Sequence, residues 1–270
     1  MSLEQISARR RYERLPAAAI AVATMGALFF LLPLLGLLWR APWRSMGQEL
    51  SAPEVVTALR LSLLCSLSAT ALSAFFGLPL AWAQARLIFA GRSLLRGLTL
   101  LPIVLPPVVG GVALLTAFGR RGLVGGWLDA VFGLRLPFTT AGAVLAETFV
   151  AMPFFVLTLE GAFGAVDRRL EDAARTLGAG PWRVFWSVTL PLVRPSLVAG
   201  AVLCWARALG EFGATITFAG NFPGRTQTVP LAVYLLLESR PEAGIALSLV
   251  LVGVSLAVLV VLRDRWVTAL

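Results

Sequence analysis

Ala17-Ala-Ala-Ile-Ala-Val-Ala-Thr-Met-Gly-Ala-Leu-Phe-Phe-Leu-Leu-Pro-Leu-Leu-Gly-Leu-Leu-Trp39 runs for 23 positions without a charge. A helix crossing the hydrocarbon core of a bilayer needs ~20 apolar residues. The run exceeds the ~7–15 residues of a signal-peptide core, and no small-x-small cleavage site follows it. It is therefore read as an uncleaved first span. Five more apolar stretches follow, at about 55–83, 94–118, 139–161, 197–219 and 243–262. The expectation is an all-α polytopic integral membrane bundle of about six transmembrane helices.

Composition supports that class. The chain has 270 residues, of which 58% are hydrophobic and 14% charged, against ~25% charged in a soluble domain. Mean hydropathy is +0.85. A soluble domain of this size could not cover so much apolar surface, so disorder, a collagen-like chain and a soluble enzyme are excluded. All 23 basic residues are arginine, and histidine is absent. Without lysine the chain cannot build a P-loop. Without histidine it has no Ser–His or Cys–His nucleophile pair and no histidine metal site. Cys65 and Cys204 fall inside apolar runs and read as small packing residues. The net charge of +9 sits beside the spans and not in a basic patch with aromatics, so it reads as a topology signal and not as nucleic-acid binding.

Arginine placement orients the chain. With the N-terminus inside, fourteen arginines fall in the inner segments: Arg9, Arg10, Arg11, Arg14, Arg86, Arg92, Arg96, Arg168, Arg169, Arg175, Arg183, Arg194, Arg263 and Arg265. The outer loops hold seven, and Arg60 and Arg207 lie within spans. This two-to-one bias puts both termini in the cytoplasm of a multi-pass cell-membrane protein. Residues 1–16 become a cytoplasmic segment, 17–262 the transmembrane domain with an inner loop at about 164–191, and 263–270 a short tail. Prolines interrupt several spans, and neighbouring helices can re-satisfy the freed backbone groups. The run Pro106-Pro-Val-Val-Gly-Gly111 bends or breaks the third span, either as a moving gate or as a static kink. No internal repeat is visible, which weakens an inverted-repeat secondary transporter.

The inner loop reads Asp167-Arg-Arg-Leu-Glu-Asp-Ala-Ala-Arg-Thr-Leu-Gly178, then Ala-Gly-Pro-Trp-Arg-Val-Phe-Trp-Ser-Val-Thr-Leu-Pro191. Asp167 suits an N-cap, Gly178 the residue after a helix, and Pro181 the start of a second one. Val166, Leu170, Ala174 and Leu177 recur at helical spacing as one apolar face. Such a short amphipathic helix either lies on the lipid headgroups or enters a partner's groove, which small Ala173 and Ala174 would permit. Glu171 and Asp172 are adjacent and so point differently; a solvated, docking role suits both.

The spacing resembles the EAA motif of ABC-importer permeases: Asp172-Ala173-Ala174, then Gly178, then Val188-Thr189-Leu190-Pro191. Asp172 stands where the family has Glu, and Val188 where it has Ile. A second stretch, Gly210-Glu211-Phe212-Gly213-Ala214 followed by Thr215-Ile-Thr217 and Pro223-Gly-x-Thr226-x-Thr228, resembles the molybdate branch; its core is shared with sulfate and tungstate permeases. The resemblance implies a type I importer permease fold, acting as a homodimer with two copies of a separate ATPase subunit. It also implies a periplasmic or extracellular molybdate-binding protein outside. The subunit itself would be non-catalytic and hold no cofactor, ATP being bound by the partner. Glu171, Asp172, Ala173, Ala174, Arg175, Gly178, Leu190 and Pro191 would couple to the ATPase. A tungstate or sulfate permease is the near alternative, and an ion-coupled secondary anion transporter the distant one.

Arg207 and Glu211, four residues apart, are expected on one helix face. Charges at membrane depth usually face the bundle interior and pair. Two readings stand, a mutual structural ion pair or a pathway residue for the anion with Glu211 limiting how tightly it sticks. Gly210, Gly213, Thr215 and Thr217 join them as pathway candidates through close backbone approach and hydroxyl donors. Glu147 and Arg60 are further candidates for a cross-helix pair. The outer loops at 119–137 and 221–230 are candidate contacts for the binding protein.

Overall fold

The computed structural model describes residues 17–266, and every regular element among them is helical. They divide into two compact units. The first, within Met1–Ala41, contains α1 (Ala17–Trp39), apolar around its whole circumference as a membrane span is. The expected N-terminal segment 1–16 and residues 267–270 of the expected tail lie outside the described residues.

The second unit, Pro42–Leu270, starts with α2 (Met46–Ser51) and the long α3 (Pro53–Arg86). Then follow α4 (Arg92–Val104), α5 (Pro107–Phe118), α6 (Gly125–Phe132) and α7 (Thr140–Ala165). The chain continues through α8 (Arg168–Thr176), α9 (Pro181–Val184), a π-helical segment (Phe185–Thr189) and α10 (Leu190–Leu209). It closes with α11 (Gly213–Phe218), α12 (Val229–Ser239) and α13 (Pro241–Trp266). Five helical stretches are long and apolar enough to cross a membrane, α1 among them.

The difference from six has a local cause. The third expected span is two helices, broken where Leu105 and Pro106 turn extended at ψ 135° and 130°. Pro107 lacks the N–H to continue the ladder and disfavours helical geometry in the residue before it. The fifth expected span also stops early, at Leu209, and a corner precedes α11. Residues 229–239, read only as the edge of an outer loop, form α12. Upstream, α9, the π segment and α10 run on as one stretch, Pro181–Leu209.

The core rests on α3, α7 and α10. Cys65, Ala69, Ser73, Gly77 and Ala81 of α3 are all buried at a spacing of four. That small-residue stripe lets α7 approach closely, the usual device where lipid offers no hydrophobic gradient. A Cβ on Gly77 would stand 3.0 Å from the Phe155 ring and 3.1 Å from Val156. Gly200 does the same for α10, 3.3 Å from Thr158. Toward the other end, Val55 and Ala58 pack with Val229, Ala232, Leu236, Ala243 and Leu247, which joins α3 to α12 and α13.

Candidate functional site

The first site is α8 with its supports. Asp167 caps the helix, its Oδ1 accepting from the Arg169 N–H at 3.0 Å. At the other end the Ala179 N–H donates to the Ala174 carbonyl at 3.0 Å. Gly178 there has φ +85°, a left-handed conformation costing a side-chain-bearing residue ~1–2 kcal/mol. Between these caps Ala173, Leu170 and Leu177 are exposed, Leu177 at 89%. Of the apolar face, Leu170 and Leu177 are thus uncovered, whereas Ala174 and Val166 are half-buried, Val166 against the core.

Glu171 departs from its expected solvated role. It is buried, and its Oε1 accepts from Arg86 at 3.1 Å and from the Thr189 hydroxyl at 2.8 Å. Arg86 also donates to the Val166 carbonyl at 3.3 Å. One carboxylate therefore fastens α8 to the end of α3 and to the π segment. Adjacent side chains on a helix point about 100° apart, so when Glu171 faces in, Asp172 faces out. Asp172 is exposed and pairs with exposed Arg175 at 2.9 Å. Leu190 is half-buried at the core rim and Pro191 exposed, at the start of α10.

The π segment has a reason in that sequence. A Pro191 ring would press on the carbonyl four residues back, at Ser187. The wider turn ends with the Leu190 N–H on the Phe185 carbonyl, and it places Thr189 beside Glu171. Trp82, Phe163, Trp182, Phe185 and Trp186 cluster around it with ring centroids 5.6 to 6.4 Å apart.

The second site is the corner after α10. Arg207 and Glu211 do pair, at 2.7 Å, although Glu211 lies beyond the helix end. The other Glu211 oxygen accepts from the Ala214 N–H at 2.8 Å, and Glu211 is 1% exposed. One carboxylate thus closes α10 and opens α11. Close packing holds the corner to the broken third run: a Cβ on Gly213 would stand 2.8 Å from Pro107, and one on Gly111 2.5 Å from Thr217. Among the other candidates, Gly210 ends α10 and is exposed. The Thr217 hydroxyl is spent on the Gly213 carbonyl at 2.8 Å. Thr215 is fully buried with a hydroxyl that makes no protein hydrogen bond.

Glu147 and Arg60 are not paired. Arg60 is exposed, whereas Glu147 is buried with its Oε2 lacking a hydrogen-bond partner. A pair not foreseen ties α4 to α7, Arg96 to buried Glu160 at 3.1 Å. Its signal was Arg96 at the edge of one apolar run and Glu160, a second acid beside Glu147, within another. In the segment 119–137, the Arg135 hydrogen bond, helped by the Arg135 and Arg120 charges, holds the Asp129 carboxyl below the ordinary carboxylate range.

Comparisons with known proteins fit this architecture. Residues 73–270 match the family described as binding-protein-dependent transport system inner membrane component. The molybdenum transport system permease protein ModB of Mycobacterium tuberculosis is 48% identical over 250 residues, 92% of this chain and 93% of that one. The sulfate transport system permease protein CysT of Escherichia coli is 37% identical over 236 residues, 86% and 85% of the two chains. In fold, a solved bacterial ABC transporter for the acidic polysaccharide alginate matches with TM-score 0.69 at 19% identity, covering 90% of this chain and 92% of its own. With a family match over most of its length and such relatives beside it, this chain belongs to the binding-protein-dependent transport system inner membrane component family.

Proposed function

We propose that this chain is the membrane-spanning permease subunit of an ATP-driven importer for molybdate. The observation that carries the reading is α8: a capped helix whose apolar face is uncovered at Leu170 and Leu177, pinned to two other elements through Glu171. A free face suits a groove on a separate ATPase subunit, and a pinned helix transmits displacement where a loose one would absorb it. Molybdate is preferred to sulfate because the molybdenum-transport relative is more similar than the sulfate-transport one, 48% against 37% identical.

In this reading two copies surround a pathway, with two ATPase subunits on the cytoplasmic side and an oxyanion-binding protein outside. Both termini are cytoplasmic, as the arginine bias indicates. The chain binds no cofactor and hydrolyses nothing; ATP belongs to the partner. Closure of the ATPase pair pushes on Asp172, Ala173, Ala174, Arg175 and the turn at Gly178. Glu171 passes the push to α3 through Arg86 and to α10 through Thr189, Leu190 and Pro191. At the far end of α10 the displacement reaches the Arg207–Glu211 corner. There Gly210, Gly213, Thr215 and Thr217 shape the pathway, and Arg207 meets the anion.

The test is molybdate uptake into proteoliposomes holding this protein, its ATPase and its binding protein, with and without ATP, beside a Gly178→Pro variant. Expected is ATP-dependent uptake, blocked by tungstate more than by sulfate and lost in the variant. Uptake that ignores ATP and survives Gly178→Pro would overturn the reading in favour of a secondary transporter.

A further inference from the structure

The start of α7 lies one helix length, about 39 Å at 1.5 Å per residue, from the loop that carries α8. At that far end a cavity of about 480 Å³ opens, lined by Arg120, Arg121, Arg135 and Arg225 together with Phe138 and Thr139. The arginines come from three separate stretches of chain, so the fold and not a local charge run gathers them. Asp129 engages Arg135 at 2.9 Å and Arg120 at 3.5 Å. Among the described residues neither Arg121 nor Arg225 makes an ion pair. Four guanidinium groups facing one carboxylate leave a surplus of three positive charges.

The cavity is also built into the frame. Phe138 has φ +60°, a strained conformation for a bulky residue that persists only where its surroundings over-determine it. Its N–H donates to the Phe218 carbonyl at 3.3 Å, at the end of α11. A Cβ on Gly220, where φ is +75°, would meet the Phe222 ring at 2.8 Å and the Phe138 ring at 3.2 Å. The Thr140 hydroxyl fixes the other rim by donating to the Arg225 carbonyl at 2.8 Å. The cavity wall is thus fastened to the short helix that begins two residues after Glu211.

We infer that this four-arginine cavity is an outer capture site for a tetrahedral oxyanion dianion, with Arg121 and Arg225 supplying the uncommitted donors. Guanidinium forks match pairs of oxyanion oxygens. A concave surface with surplus positive charge concentrates anions and raises their association rate by on the order of 10- to 1,000-fold, falling steeply with ionic strength. The inference rests on the importer reading for which side of the membrane the cavity faces.

The probe is tungstate, titrated calorimetrically without binding protein into the reconstituted permease–ATPase complex. The wild type should bind it, more weakly as sodium chloride rises. The Arg121→Gln/Arg225→Gln double variant should bind at least tenfold more weakly, and Arg121→Lys/Arg225→Lys should recover part of the loss. Both arginines are exposed, so the variants should keep the wild-type thermal midpoint. Because both arginines lie in the loops 119–137 and 221–230, affinity for the anion-loaded binding protein is measured on the same preparations, to separate an ion site from a docking surface. Equal tungstate binding by wild type and the double glutamine variant would overturn the site. Loss of binding-protein affinity with tungstate binding intact would also overturn it and make the patch a protein-docking surface. A complex that imports molybdate with ATP but binds no tungstate here would sink this inference and leave the importer reading standing.

Discussion

Glu171 and Glu211 are both buried carboxylates, one beside the start of α10 and one just past its end, and they are held by opposite means. The partners of Glu171, Arg86 and Thr189, stand 85 and 18 residues away in sequence. Those of Glu211, Arg207 and the Ala214 N–H, are four and three residues away. The first carboxylate joins separate elements; the second shapes a bend within one stretch of chain. Removing the first frees a helix from the bundle. Removing the second leaves the corner still packed through Gly111 and Gly213, so the two residues should fail differently.

The sharpest test of that contrast is Glu171→Ala. It strands Arg86, whose side chain is only 9% exposed and whose Nε already lacks a partner. Breaking a buried pair on one side costs about 3–5 kcal/mol, visible as a lowered thermal midpoint of the purified permease. Uptake should collapse while basal ATP hydrolysis by the partner persists. Wild-type stability with intact uptake would end the idea that α8 is clamped. Glu211→Gln comes next. An amide cannot accept from both Arg207 and the Ala214 N–H, so one donor is left facing an NH₂ at a cost of about 1–3 kcal/mol. Uptake should fall with stability largely kept; a loss as deep as that of Glu171→Ala would erase the distinction between joining and bending. Asp172→Asn should matter least. Its pair with Arg175 is exposed and worth about 0–1 kcal/mol, so the thermal midpoint should stay put. A drop matching Glu171→Ala would place the clamp on the outer face instead.

Legibility followed the range of the interactions. The caps at Asp167 and Gly178 and the pairing of Arg207 with Glu211 depend on residues within a turn or two, and the sequence reading anticipated each. The direction in which Glu171 points depends on Arg86, which no local pattern connects to it, and there the expectation of a solvated side chain was wrong. At Pro106 the proline–glycine run pointed to a bend or a break, and the structure has the break, into α4 and α5. The stop at Leu209 was hidden, because Arg207, Gly210, Glu211 and Gly213 interrupt the apolar run at 197–219 without by themselves marking a helix end. Only the Glu211 hydrogen bond and the fit of Gly213 against Pro107 set it.

The π segment carries a consequence of phase. A turn of that width holds one residue more than an α-turn, and one residue is about 100° of rotation and 1.5 Å of advance along the axis. Everything downstream in α10 inherits that offset. The azimuth at which Arg207 faces the rest of the bundle is therefore dialled in some twenty residues earlier, between Phe185 and Thr189. If the π turn relaxed to an α-turn, every side chain of α10 would swing to a new bearing with no change in its own composition.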